Sequence, residues 1–193
     1  MKLILITGKT GSGKNKLGEL LSYYRNFEHI DVDKICHTCY ENEYIVNKVK
    51  EYFGEDIVKD NIVDRKKLGG IVFNSKEKMA MLTDLTYNYV INKIDEIIKK
   101  SKKTLILNYV LLPNTKYWKD EDAYKILVKC RDDKTRYEHL IRRDNVSMDY
   151  ILSRDSNSLN YIEEEFDYVF ENDYTQKNLI ENVERIIKEI DGK

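Results

Sequence analysis

One proline, three cysteines, three histidines and a single tryptophan in 193 residues exclude several kinds of protein at once. So little proline leaves no proline-rich linker or polyproline segment, and turns have to be made by Gly, Asn and Asp. The cysteines, Cys36, Cys39 and Cys130, are odd in number and too few for a disulfide framework. Cys36-His37-Thr38-Cys39 has C-x-x-C spacing, but a structural zinc site wants a second ligand pair. Only Cys130, His29 and His139 remain, at irregular distances, so the stretch reads as two small residues on successive helical turns. No run approaches the ~20 apolar residues of a membrane span. With 33 basic and 34 acidic residues the formal charge is −1, which offers no global attraction to nucleic acid or a membrane surface. These absences leave a soluble, cytoplasmic protein built on one main domain, without internal repeats, whose basic sites are local.

Against that background one stretch stands out. The apolar run Leu3-Ile4-Leu5-Ile6 leads directly into Gly8-Lys9-Thr10-Gly11-Ser12-Gly13-Lys14, and Leu17, Leu20 and Leu21 follow at helical spacing. A short all-apolar run suits a strand buried on both faces, so strand, glycine loop and helix come in the order a phosphate-binding loop needs. Glycines let successive N–H groups turn inward at phosphate oxygens, and the helix N-terminus adds partial positive charge. Gly8, Lys9, Thr10, Gly11, Ser12, Gly13, Lys14 and Asn15 are therefore the expected nucleotide-binding residues, with the Lys14 ammonium bridging the outer phosphates of ATP. The pattern G-x-x-x-x-G-K-[ST] departs at its last position, where Asn15 stands in place of the hydroxyl residue that ligates Mg2+. An amide oxygen can ligate a hard cation, though from a different place.

Phe27 to Val32 reads as a second strand that brings Asp31 and Asp33 to its C-terminal end, where α/β sheets put their chemistry. A carboxylate there can accept a substrate hydroxyl proton or hold magnesium, and Asp33 can equally cap a following helix. From Tyr40 to Lys100 the chain reads as helical and charged, an insertion between strands. Within it Asp64 is an expected N-cap and Gly69 or Gly70 the stop of its helix. Thr104 to Asn108, Lys125 to Cys130 and Asp167 to Asn172 complete a five-stranded parallel sheet, and Thr175 caps a C-terminal amphipathic helix.

Phe53-Gly54-Glu55-Asp56-Ile57 followed by Asp64 to Phe73 (DRKKLGGIVF), with the upstream GSGK loop and Ile30-Asp31-Val32-Asp33, resembles the dephospho-CoA kinase family, P-loop kinases that complete coenzyme A synthesis. The resemblance covers nearly the whole chain. It implies ATP-dependent phosphorylation of the ribose 3′-hydroxyl of dephospho-CoA, with Asp33 as the proton acceptor. It also implies a P-loop core of 1–34 with 101–131 and 165–193, a helical acceptor-binding insertion of 35–100, and a lid of 132–164. In the lid, Arg143-Asp144 matches the family's Arg-Asp and Arg154 its following arginine; planar guanidinium forks there would neutralise charge on the transferred phosphoryl group.

The sequence departs from the family pattern near the chemistry. Asn15 and Asn108 stand where a hydroxyl residue and an acid are usual, Tyr87-Asn88 where His-Pro is usual, and Arg136 and His139 where glutamine and arginine open the lid. Asn15 and Asp31 are the expected magnesium ligands, with Asp31 or Asp33 supplying the charge that Asn108 lacks. Three readings follow: an active dephospho-CoA kinase, a P-loop kinase for another nucleoside or nucleotide, and a nucleotide-binding homologue with lost catalysis and a regulatory or scaffolding role. The expected partners are small-molecule substrates, ATP and dephospho-CoA, with no nucleic acid and no membrane.

Overall fold

The computed structural model of the chain describes residues 3–156 and 158–192. In chain order the elements are β1 (Leu3–Thr7), α1 (Lys14–Arg25), β2 (Glu28–Asp31), α2 (Val32–Thr38), α3 (Glu43–Phe53), β3 (Val58–Lys59), β4 (Ile62–Val63) and α4 (Arg65–Val72). There follow α5 (Lys76–Lys100), β5 (Leu105–Asn108), β6 (Tyr124–Cys130), α6 (Asp133–Asp144), α7 (Met148–Asp155), β7 (Tyr168–Asn172) and α8 (Gln176–Asp191). They divide into two compact units, one of Met1–Asp31, Ser101–Ile151 and Ser158–Lys193, the other of Val32–Lys100 and Leu152–Asn157.

The first unit is an α/β layer structure on a five-stranded parallel sheet of order β2-β5-β1-β6-β7. β1 is central and every one of its residues is buried, as a strand covered on both faces requires. One face packs Leu17 and Leu21 of α1 and Val183 and Ile186 of α8 against Ile4, Ile6, Ile126 and Phe170. Both helices end as their sequences suggest. Asn26 adopts the left-handed conformation after α1, and the Thr175 hydroxyl accepts from the Asn178 N–H at the start of α8. All five strands run the same way, so Gly8, Asp31, Asn108 and Asn172 gather at one edge of the sheet.

β2 is shorter than the stretch Phe27 to Val32 expected for it. Its ladder pairs Glu28 to Asp31 with Leu105 to Asn108 and ends where β5 ends. Val32 then opens α2, which moves Asp33 from the strand's end to the first turn of a helix.

The second unit has its own core, in which Val46, Val49 and Phe53 of α3 meet Ile57, Leu68 and Val72, with Leu82, Leu85 and Tyr89 of α5 packed around them. Two features differ from expectation. A two-stranded hairpin, β3–β4, interrupts the helices; Asp60 and Asn61 at its tip both have positive φ, the conformation of a tight hairpin turn. The helix begun at Asp64 also runs through Gly69 and Gly70 to Val72. Burying Leu68 and Val72 in this core offsets the ~1 kcal/mol that each helical glycine costs. Cys36 lies in α2 and Cys39 opens a 3-10 turn; burial, then its neighbour Cys36, pushes the Cys39 thiol up to about 12, which leaves it inert. Among the described residues no cluster of three His, Cys, Asp or Glu could hold a metal, and no helix is long and apolar enough to cross a membrane.

The Asp64 carboxylate accepts from the Lys66 and Lys67 N–H groups at 3.1 and 3.0 Å. Asp64→Ala is expected to cost about 1 kcal/mol in urea unfolding, and Asp64→Asn only a fraction of that.

Candidate active site at the strand ends

The loop between β1 and α1 is held open by its carbonyl oxygens. Gly8 O and Lys9 O accept from the Lys14 ammonium at 2.9 and 3.0 Å. Thr10 O accepts from Arg136 Nη1 at 3.0 Å, Gly11 O from the Tyr174 hydroxyl at 2.8 Å, and Ser12 O from Asn172 Nδ2 at 2.8 Å. Five consecutive carbonyls are thus turned toward protein donors, and a loop so arranged presents N–H edges on its other side. Gly13, at φ 101°, forms the N-cap of α1 with no side-chain cap bond, and that helix carries no acid in its first turn. This leaves the positive end of the helix dipole for an anion. A Cβ on Gly13 would come within 2.3 Å of Asn172 Nδ2, so the fit that secures Ser12 O also demands glycine here. The Ser12 hydroxyl is buried without a partner among the described residues.

The donors come from α6 and from the turn after β7. Arg136 is 1% exposed. Its Nε and Nη2 grip Asp133 Oδ1 at 3.0 and 2.8 Å while Nη1 reaches Thr10 O, so the buried charge is paired and its fork is filled. Asp133 also lies 3.6 Å from the Lys9 ammonium. Burial raises the Asp133 pKa, but Arg136 and then Lys9 outweigh it and hold the carboxyl below its usual value. Tyr174 has positive φ, and its N–H donates to Asn172 Oδ1 at 2.8 Å. Its hydroxyl shares a 2.9 Å contact with Cys130 Sγ. The Tyr174 ring stacks on His139 with centroids 4.8 Å apart. Burial, then the positive charges of Arg142 and Arg143, lower the His139 pKa.

A second group lies beside the loop. Asn15 Nδ2 donates to Asp31 Oδ2 at 2.8 Å, Asn108 Nδ2 donates to Asn15 Oδ1, and Asn108 Nδ2 is 3.5 Å from His29 Nε2. Asn108 Oδ1 is buried without a partner among the described residues. The side chains of Asn15, Asp31 and Asn108 carry oxygen donors, one of them a carboxylate, of the kind that suits Mg2+ when substrate phosphates complete its shell; here the Asn15 and Asp31 oxygens accept from Asn108 Nδ2 and Asn15 Nδ2.

Lys14, Asn15 and Asp31 are thereby brought together around the loop. Asp33 is exposed in the first turn of α2, in the second unit. Arg143 lies on α6 with its fork closed on its own neighbour, Nε and Nη2 donating to the two Asp144 oxygens at 2.6 and 2.8 Å. Arg154 belongs to the second unit, its guanidinium 5.0 Å from the centroid of the Phe73 ring. Arg136, Asn172 and Tyr174 were not legible as loop-holding residues. In the sequence Arg136 stands only where glutamine usually opens the lid, and nothing local marks an Asn at a strand end and a Tyr two residues on as donors to a loop 160 and 163 residues earlier.

The dephospho-CoA kinase family model matches residues 2–178. A dephospho-CoA kinase of Fusobacterium nucleatum is 31% identical over 192 residues, covering 97% of this chain and 98% of its own. One from Aquifex aeolicus is 29% identical over 197 residues, covering 98% of each. Among solved structures, TT1252 from Thermus thermophilus is similar with a TM-score of 0.76 at 23% identity, over 97% of this chain and 96% of that one. Dephospho-CoA kinase from Campylobacter jejuni is similar with a TM-score of 0.65 at 22% identity, over 98% and 96%. These structural likenesses are of fold.

Tyr174→Phe removes one loop donor and leaves Gly11 O unpaired in a half-buried place. Isothermal titration is expected to show ATP affinity reduced by roughly three- to tenfold, with the fold retained by circular dichroism.

Proposed function

The chain belongs to the dephospho-CoA kinase family, and from that premise we propose that it transfers the γ-phosphoryl group of ATP to the ribose 3′-hydroxyl of dephospho-CoA, giving coenzyme A and ADP. The observation that carries the reading is the phosphate loop, with five carbonyls turned to protein donors and an uncapped helix N-terminus behind it. Such a loop is organised for a polyphosphate and for little else.

In this reading the loop N–H groups and Lys14 bind the β- and γ-phosphates, and Lys14 exchanges the carbonyls of Gly8 and Lys9 for phosphate oxygens. Asn15 and Asp31, with Asn108 behind them, would hold magnesium, which when bound would neutralise charge on the phosphate oxygens. Asp33 accepts the proton of the acceptor hydroxyl as the oxygen–phosphorus bond forms. It lies in a first helical turn, exposed to solvent. Arg143 and Arg154 contribute positive charge to the transferred group, for which Arg143 has to release Asp144. We assign acceptor binding to the helical insertion of 35–100 and closure to the lid of 132–164; a lid excludes the water that would otherwise receive the phosphoryl group. Both substrates belong to the cytoplasm, where we place the enzyme.

An ADP-release assay across dephospho-CoA, nucleosides and nucleoside monophosphates tests the assignment. Turnover is expected with dephospho-CoA, and turnover with only the other acceptors, or with none, overturns it. Lys14→Ala is expected to abolish measurable turnover while the protein stays folded. Asp33→Asn is nearly isosteric, so it is expected to keep ATP affinity and to lower kcat by ~10²–10⁴-fold, the range of a general base. A wild-type kcat with only a lower melting temperature would reduce Asp33 to a helix-terminus role.

A further inference from the structure

Asn15 stands where the phosphate-loop motif has a hydroxyl, and an amide brings a difficulty a hydroxyl does not. It has two different ends, and only one is an oxygen. The orientation of Asn15 is tied to a string of polar contacts that reaches a histidine outside the motif. Asp31 can only accept, so Asn15 Nδ2 faces it, at 2.8 Å, and Asn15 Oδ1 is turned the other way. Facing that oxygen is Asn108, which is 1% exposed and sits opposite Asp31 in the β2–β5 register. Only the Nδ2 end of Asn108 can satisfy Asn15 Oδ1, and it is the end found there. The same Nδ2 has a second hydrogen, and His29 Nε2 lies 3.5 Å away. A donor in that position needs Nε2 as a bare acceptor, with the ring proton on Nδ1. The ring is set against α1 at Gly18, where a Cβ would come within 2.5 Å of Nε2 and 2.6 Å of Cδ2. A larger residue at 18 would displace the imidazole.

We infer that His29 and Asn108 are positioning residues that fix which end of the Asn15 amide this chain offers to the metal–nucleotide complex. If His29 carried its proton on Nε2, Asn108 would turn over to present Oδ1 to it. Asn15 Oδ1 would then face an oxygen, and its own reversal would set oxygen against the Asp31 carboxylate. One imidazole tautomer thus orients two amides and a carboxylate in series. The inference rests on the kinase reading for its consequence, not for the geometry of the string.

Two measurements test it. In the ligand-free protein, 15N-correlated imidazole spectra are expected to place the His29 proton on Nδ1; a proton on Nε2 overturns the inference whatever the enzyme does with ATP. ATP affinity is then measured by calorimetry with and without Mg2+ in the wild type, His29→Leu and His29→Gln. Leucine has no acceptor, whereas glutamine can place Oε1 near the site of Nε2. His29→Leu is expected to keep its metal-free ATP affinity and to lose about tenfold in the strengthening that Mg2+ brings, and His29→Gln is expected to recover it. Undiminished strengthening in His29→Leu, proportional loss with and without metal, or a glutamine variant no better than leucine would overturn it. Wild-type protein that bound no ATP would overturn the kinase reading, with the spectra still deciding the string.

Discussion

A phosphate loop works only if its carbonyl oxygens are kept away from the phosphate. Each peptide unit carries a donor and an acceptor, and the electrostatic repulsion between carbonyl oxygens and a polyphosphate would undo what the N–H groups contribute. Here the carbonyls of residues 10 to 12 accept from side chains outside the loop, the most distant of them from the far end of the chain, while Lys14 occupies those of Gly8 and Lys9. The rest of the first unit can be understood from that requirement. α6 has to begin close enough for Arg136 to reach Thr10, β7 has to end with Asn172 under Ser12, and the following turn adopts positive φ so that Tyr174 can reach Gly11. Because Arg136 is buried, its charge must be paired, which explains Asp133 and, through it, the tie to Lys9.

Beside the loop the chain departs from the usual pattern in a coordinated way. Replacing a hydroxyl by the Asn15 amide and an acid by the Asn108 amide lowers the negative charge at the strand ends and introduces two groups that could each point either way. The structure answers both problems with directional hydrogen bonds, anchored at Asp31 and extending to His29. In the sequence Asn108 reads as a missing acid and Asn15 as an amide ligand in place of a hydroxyl. In the fold the two are joined, Asn108 Nδ2 donating to Asn15 Oδ1.

The placement of Asp33 shows how a local pattern and a nonlocal constraint divide the outcome. The alternating stretch from Phe27 to Val32 favours a strand that would bring both acids to its C-terminal end, but a strand lasts only while it has a partner. β5 ends at Asn108, so β2 ends at Asp31, and the next residues turn into α2. Two acids one residue apart therefore enter different elements and different compact units. The hairpin at Asp60-Asn61 was hidden for the opposite reason: its strands have two residues each, too short for any alternation to register.

By itself the sequence determined the strands of the sheet, the strand-loop-helix at the N-terminus and the caps at Asp64 and Thr175, and its resemblance over nearly the whole chain pointed separately to the family. Each of these elements rests on periodicity or on residue types within a few positions of one another, and local physics is enough to specify them. Only the tertiary structure decided which side chains hold the loop and which way the amides point. Arg136, Asn172 and Tyr174 act on carbonyls 126, 160 and 163 residues away, and Asn108 meets Asn15 across 93. Partners so far apart leave no pattern in their neighbours, because what joins them is the parallel order of the sheet, which brings every strand end to one edge.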